Sequence, residues 1–212
     1  MNLWKQKLVH VPDSVWEQDE LETLVLAENE LNEVSEKIGR LTTLRMLDLG
    51  HNRLANVPET LGNLESLRDF LYLHDNRLTE LPAALGRLKR LRYLNISENR
   101  FARLPECVAK MDALVELHAT DNQLTELPES IGELGNLREL YLRNNRLREL
   151  PSSLGKLKEL RRIDLRGNPL KRLPEEMREL RRLEKIDLRW VSTLEETDWL
   201  GELEARGCLV YR

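Results

Sequence analysis

The stretch that decides the fold runs from Leu137 to Glu159 and reads LRELYLRNNRLRELPSSLGKLKE. Its spacing, LxxLxLxxNxLxxLPxxLGxLxx, returns about every 23 residues in both directions along the chain. A unit of this length cannot bury its leucines alone, whereas stacked units share one continuous core. Full units begin at Leu21, Leu44, Leu67, Leu91, Leu114, Leu137 and Leu160, and a truncated unit begins at Leu183.

The composition indicates a solvated protein with a uniform aliphatic interior. The chain has 46 leucines among 212 residues, but only 5% of its residues are aromatic. A further 33% are charged and supply the exterior. The net charge of −4 argues against a nucleic-acid partner, because binding nucleic acid needs a strong positive field.

Location and redox state are predicted from apolar runs and cysteines. No apolar run exceeds a few residues, and none of signal-peptide length follows the lysines near the amino end. We therefore expect no membrane partner and a cytoplasmic location. Cys107 and Cys208 lie more than four repeats apart, beyond the reach of a disulfide, so both should be free thiols.

The repeats and their flanks predict one domain over residues 1–212. Residues 1–20 form an amino-terminal cap with a partial repeat, residues 21–190 form the repeats, and residues 191–212 form a carboxyl-terminal cap. All four tryptophans lie in the caps, where a large ring can cover an open core edge. The carboxyl-terminal cap has capping-box chemistry at Ser192–Glu196, a helix stop at Gly207 and a last edge segment at Cys208–Tyr211.

One irregularity breaks the period. The spacing from Leu67 to Leu91 is 24 residues, and the normal pattern resumes at Leu71. The extra residue therefore precedes a strand, which predicts a bulge there and leaves the position of Phe70 uncertain.

Each repeat divides into a strand and a return. LxLxx has the alternation of a short strand, and the half with proline returns the chain over the opposite face. Stacking predicts an α/β solenoid, an arc with a parallel β-sheet on the concave face and short helical or extended segments on the convex face. LPxxLGxLxxL resembles the 23-residue intracellular type of leucine-rich repeat found in Ras-group and bacterial proteins, over about residues 8–190. The resemblance implies the fold and leaves the function open, because the residues that the repeats share are residues of the core.

An asparagine recurs once in each repeat. Such a column could suggest catalysis or ligand binding, but a buried amide that turns the chain away from a strand must bond backbone groups, so we interpret it as structural. The ladder consists of Asn29, Asn52, Asn76, Asn99, Asn122, Asn145 and Asn168.

The concave face carries the candidate binding residues. Tyr72, Tyr93, Asn95, His118 and Tyr141 occupy strand positions that point to this face. Aromatic residues in an exposed concavity suit protein binding, because they give contact area at little entropic cost. The alternative interpretation is that sheet faces favour tyrosine in any case.

Charges flank this patch on two sides. Arg143, Arg162 and Arg166 make the carboxyl-terminal end of the face basic, and either an acidic partner or pairing with Asp164 and Asp187 could offset them. An acidic rim follows the strands of other repeats at Glu28, Asp75, Glu98 and Asp121.

Motifs of catalysis are missing from the sequence. There is no glycine-rich phosphate loop, paired-cysteine metal site or GxSxG, so we expect no catalytic, cofactor or metal site. We predict a monomeric, non-enzymatic module that binds a protein or peptide partner on its concave face. The resemblance would make a small GTPase or a phosphatase one partner class. The alternative is a recognition or regulatory subunit, for example a bacterial effector, that acts with a separate catalytic chain.

Overall fold

The computed structural model describes residues 1–195 and 197–212, and a parallel sheet of nine strands runs through this part of the chain. The strands are three residues long and pair in chain order. They are β1 Thr23–Val25, β2 Met46–Asp48, β3 Phe70–Tyr72, β4 Tyr93–Asn95, β5 Glu116–His118, β6 Glu139–Tyr141, β7 Arg162–Asp164, β8 Lys185–Asp187 and β9 Leu209–Tyr211.

The register keeps one side chain column in the core. Leu24 pairs with Leu47, and each later central residue continues this column through Ile186. The first and third residues of each strand therefore point to the opposite, concave face. This confirms the predicted solenoid with its parallel sheet.

The insertion lies before β3, as predicted. In a regular repeat the amides of Arg45 and Met46 both donate to the carbonyl of Glu22. Before β3 the amides of Arg68 and Asp69 share one carbonyl in this way, and Phe70 then pairs with Met46. The extra residue is absorbed ahead of the strand, so the leucines of β3 stay in register.

The convex layer consists of 3₁₀ helices, the tight form of helix that suits short segments. Proline precedes most of them, and Pro58 has φ −70° there. Where Ser35 replaces the proline, its hydroxyl accepts the Lys37 amide at 3.2 Å and caps an equally long segment. The segments lie at Asp13–Glu17, Glu36–Arg40, Glu59–Asn63, Ala83–Arg87, Val108–Lys110, Glu129–Glu133, Ser152–Lys156 and Glu175–Glu179.

The asparagine ladder runs along the core, and its side chains bond backbone groups there. The Asn99 amide donates to the carbonyls of Leu73, Ile96 and Ser97 at 2.9 to 3.2 Å. Its oxygen accepts the amide of Leu78 at 2.9 Å. Asn99 thus joins its own turn to the preceding repeat, and Asn122 does the same one repeat later.

The caps differ in part from the prediction. Trp16 and Trp199 are buried, but Trp4 is 48% and Trp190 69% exposed, so the expectation that all four rings cover the core was wrong for these two. The backbone of the first residues covers the β1 edge instead, since Leu3 donates to the Val25 carbonyl at 2.8 Å.

The carboxyl-terminal helix also begins later than the capping box suggested. Helix α1 spans Leu200–Ala205. The Thr193 hydroxyl does not cap this helix but donates to the Leu170 carbonyl at 2.8 Å. Glu196, part of the predicted capping box, lies outside the described residues. Gly207 has φ +91° just after the helix, and the predicted edge segment is β9.

Helix length and cysteine state complete the description. Within residues 1–195 and 197–212, no helix is long and apolar enough to cross a membrane. Both cysteines are buried free thiols, as predicted.

Candidate protein-binding face

Seven rings form a continuous row across β2 to β6, which we call the aromatic ladder. Successive ring centroids are 4.6 Å apart for His51 and His74, 5.8 Å for His74 and Tyr72, 5.1 Å for Tyr72 and Tyr93, 5.1 Å for Tyr93 and His118, and 4.3 Å for His118 and Tyr141. Phe70 stacks beside Tyr72 at 5.7 Å. These spacings are close to those of favourable aromatic pairs, so the ladder is held by its own contacts.

The insertion determines how Phe70 is presented. The ring is 41% exposed and also meets Tyr93 edge-on at 5.3 Å. It borders a cleft of about 240 Å³, the aromatic cleft, lined by Asp69, Phe70, Arg92, Tyr93, Val115 and Glu116. An exposed apolar ring beside a cleft is a typical anchor site for a partner side chain.

Carboxylates hold the polar edges of two rings. His118 Nε2 lies 2.5 Å from Glu116 Oε1, and the Tyr141 hydroxyl donates to Glu139. Burial, followed by the bond to Glu139, raises the pKa of Tyr141 above its ordinary value. Burial likewise raises the pKa of Tyr93 and of Tyr72. The phenols are therefore neutral over the physiological range and present both apolar and hydrogen-bonding surface.

His74 is the ring with an incomplete set of bonds. Its Nδ1 is buried without a hydrogen-bond partner among the described residues. Burial, and then the neighbouring His51, lowers the pKa of His74. A neutral imidazole is thus favoured at this position.

Asn95 lies in the predicted patch but also has a local role. Its Oδ1 accepts the Ser97 amide at 3.0 Å, as Asp48 Oδ1 accepts the Gly50 amide at 2.9 Å. This side-chain turn explains why short polar residues recur at the strand ends.

The arginines at the carboxyl-terminal end are largely paired within the chain. Arg166 Nε lies 2.9 and 3.1 Å from the two carboxylate oxygens of Asp164, and Arg162 lies 3.4 Å from Glu139. Arg143 reaches Asp121 at 3.4 Å. The internal pairing left open by the sequence therefore exists, although Arg162 remains exposed.

Asp187 anchors the last of these pairs. Its side chain is 2% exposed and accepts Arg189 Nε at 2.9 Å and Nη2 at 2.8 Å. Burial would raise the pKa of this carboxyl, but the bonds from Arg189 outweigh it and the pKa is lowered. Asp187 is therefore a charged, structural residue of the face.

The acidic rim has an unusual backbone. Glu28, Asp75, Glu98 and Asp121 all have φ between 48° and 54°, in the left-handed region that disfavours residues with a Cβ. They follow the carboxyl ends of the strands, where each repeat turns toward its asparagine. Glu98 is exposed and forms no ion pair with any described residue.

The sequence predicted Tyr72, Tyr93, His118 and Tyr141 as binding residues but left His51, His74 and Phe70 out of that set. All three join the ladder in the structure, and the insertion had left the position of Phe70 uncertain. The signal was present, since His74 follows the second leucine of its strand, a column that also points to the concave side. Among the described residues, no group of three or more side chains is placed to hold a metal ion.

Comparison with known proteins identifies the family. A model described as leucine-rich repeat region matches residues 61–139 and 120–205, and a second, described as leucine rich repeat, matches residues 1–54 and 19–78. The chain belongs to the leucine-rich repeat family. No curated protein matches it significantly.

Two solved structures are similar over nearly the whole chain. A leucine-rich repeat protein of Leptospira interrogans shares 29% identity with a TM-score of 0.54, covering 97% of this chain and 64% of its own. The plant peptide hormone receptor RGFR1 in complex with RGF2 shares 29% identity with a TM-score of 0.78, covering 94% of this chain and 32% of its own. The chain thus spans less than two thirds of the length of either protein.

Proposed function

We propose that this chain is a non-enzymatic module that binds a protein or peptide partner on its concave face. The observation that carries the proposal is the aromatic ladder, with Phe70 exposed beside the aromatic cleft. Rings that are already ordered by their neighbours lose little entropy when a partner covers them. The similar plant protein is a peptide hormone receptor in complex with RGF2, which supports a peptide or protein as the partner class.

The binding residues we propose are led by Tyr72, Tyr93, His118 and Tyr141, with Asn95 beside them. Arg143, Arg162 and Arg166 border this patch, and of these Arg162 is the most exposed and so the best placed to contact a partner. Arg166 contributes mainly to the internal ion pairs, because its side chain is only 22% exposed.

Capture of partners from a lysate tests the proposal. We compare wild type with a variant carrying Tyr72→Ala, Tyr93→Ala and Tyr141→Ala, and quantify recovered proteins by mass spectrometry. Trp4→Ala is the matched control, since it removes an exposed ring outside the ladder. We expect a partner recovered by wild type and by the control, and at least about tenfold less by the triple variant.

Folding must be separated from binding in this experiment. Circular dichroism at the capture temperature should show the triple variant folded, since its three rings are half-buried surface residues. Equal recovery of the same partner by the folded triple variant would remove the ladder as the binding site.

We also propose that residues 1–212 act as one domain in the cytoplasm. One apolar cluster continues from Val15 to Cys208, which supports a single domain. The separated thiols support a reducing compartment, and burial raises the pKa of Cys107 to about 11. A thiol reagent should therefore label Cys107 only after unfolding. Rapid labelling of the native protein would contradict the burial of this thiol.

A further inference from the structure

A row of basic residues lies along the edge of the sheet where the strands begin. Arg68 precedes β3, Arg92 precedes β4 and Arg138 precedes β6, with Lys89 and Arg90 on the preceding turn. We call these five residues the basic edge. The edge is positive although the whole chain has a net charge of −4.

The arginines that flank the basic edge at the same repeat position form ion pairs, whereas most residues of the basic edge do not. Arg45 pairs with Glu22 and Asp69 at 3.3 Å, and Arg161 pairs with Glu184 at 3.0 Å. Arg68, Arg90, Arg92 and Arg138 are exposed and form no ion pair with any residue in the described part of the chain. Lys89 is held by Asp112 at 3.1 Å. The unpaired charges of this row therefore lie beside β3 to β6, four of the five strands that the aromatic ladder crosses.

A groove of about 440 Å³ runs through the basic edge. Its lining is Arg68, Lys89, Arg90, Arg92, Ala113, Val115, Asn136 and Arg138, with no acidic side chain. Val115 supplies an apolar floor at the position where neighbouring repeats have arginine. Arg92 and Val115 also line the aromatic cleft, so the two depressions adjoin at these residues.

We propose that the basic edge receives an acidic segment of the partner whose apolar side chain enters the aromatic cleft. This deepens the proposed function and rests on it. Guanidinium groups bond carboxylates in a bidentate geometry, and the groove leaves four of them free for this. Neighbouring strands are about 4.8 Å apart, so Arg68 and Arg92 repel each other until carboxylates lie between them.

Selection from a displayed library of random dodecapeptides tests the proposal without a known partner. The edge variant carries Arg68→Ser, Arg92→Ser and Arg138→Ser. The matched control carries Arg77→Ser, Arg100→Ser and Arg146→Ser, which are exposed arginines in the same three repeats and outside the ion pairs of the described residues. Both variants lose three positive charges, so only the location differs. The ring variant Tyr72→Ala, Tyr93→Ala, Tyr141→Ala reports on the ladder itself.

We expect wild type and the matched control to select peptides that combine Asp or Glu with an aromatic or large aliphatic residue. The best of these, made synthetically, should bind the edge variant about tenfold more weakly, mainly through slower association, and the loss should shrink in high salt. Selected peptides without an excess of acidic residues, or an equal affinity for the edge variant and the control, would overturn the inference.

The outcomes separate the two proposals. If the peptides bind wild type and the edge variant equally but do not bind the ring variant, the proposed acidic segment is rejected. The ladder then remains the proposed binding site. If the peptides bind the ring variant as tightly as wild type, the proposal that the ladder is the binding site is rejected as well. A selection that enriches no peptide has the same consequence. Edge-dependent binding of a single-stranded DNA 20-mer more tightly than any selected peptide would also overturn the inference, because the edge would then prefer phosphate.

Discussion

Replacing Asn99 with alanine should destabilise the protein without changing which partner it binds. The side chain is 7% exposed and makes four hydrogen bonds to backbone groups, two in its own repeat and two in the preceding repeat. Alanine removes all four bonds, including the two that connect this repeat to the preceding one.

The loss of unfolding free energy can be estimated from the hydrogen bonds that each backbone partner of Asn99 keeps in the variant. Leu73 keeps the Asn76 amide as a donor at 3.2 Å, Ile96 keeps Asn122 at 3.0 Å, and the Ser97 carbonyl keeps the Asp75 amide at 3.0 Å. Only the buried Leu78 amide loses its acceptor outright, which costs about 1 to 3 kcal/mol, and the other lost bonds add about 1 kcal/mol. The sum of about 2 to 4 kcal/mol should lower Tm by about 5 to 12 °C in a chain of this size.

Thermal unfolding by circular dichroism measures this effect. Asn136→Ala is the matched control, because its amide makes one exposed bond to the Asp112 carbonyl at 2.9 Å and should cost less than about 0.5 kcal/mol. An Asn99→Ala variant with the Tm of wild type, or one that loses no more than Asn136→Ala, would refute the structural interpretation of the ladder. Changed partner selectivity at unchanged stability would refute it equally.

Further predictions concern strain, titration and buried charge. Glu98→Gly should raise the free energy of unfolding by up to about 1 kcal/mol in chemical denaturation, because glycine relieves the left-handed backbone at φ 54°. Gly167→Ala should lower it by about 1 to 2 kcal/mol, since φ is +66° and the new Cβ would lie 2.5 Å from Asn144 Oδ1. The folded pKa of His74 is lowered, so the unfolded chain binds more protons and stability should fall as pH drops below the unfolded value of about 6.5. His74→Gln should remove part of that loss when melting is compared at about pH 7 and pH 5, and an identical pH dependence in both proteins would contradict it. The folded pKa of Asp187 is also lowered, so its contribution exists above the unfolded value of about 3.9 and disappears as pH falls through the folded value. Asp187→Asn should therefore cost about 1 to 3 kcal/mol at neutral pH, with a difference from wild type that vanishes in strong acid.

The regular part of the fold could be predicted because each repeat solves the same packing problem. Once Leu140 and Leu142 were assigned to the core side, alternation placed Tyr141 on the concave face, and the same step placed Tyr72 and Tyr93. The asparagine ladder followed from the need to satisfy buried polar groups. Each of these inferences uses only the period and a local rule.

The exposed tryptophans, the local bond of Asn95 and the basic edge depend on contacts between side chains and backbone. The repeat pattern of the sequence does not give these contacts. Trp4 and Trp190 are exposed because backbone and helix α1 cover the ends of the core, which composition alone could not indicate. Asn95 stays a predicted binding residue, but the bond from the Ser97 amide to its oxygen could not be predicted from the sequence. The basic edge escaped notice for the same reason. Arg45 and Arg92 occupy the same column, and only the contacts separate the paired residue from the free one.

Two features on opposite sides of the ladder give the face a direction. Asp75, Glu98 and Asp121 keep carboxylates at left-handed backbone positions in three consecutive repeats, although Gly167 shows that the same position accepts glycine. Each such residue carries backbone strain of about 1 kcal/mol, so the retained negative rim is more readily explained by use than by stability. The rim lies at the carboxyl ends of the strands and the basic edge at their amino ends. In the proposed complex, a partner turned through half a circle would place its acidic segment on the rim, where like charges would repel it. The charges would then select one orientation, while the rings would supply contact area.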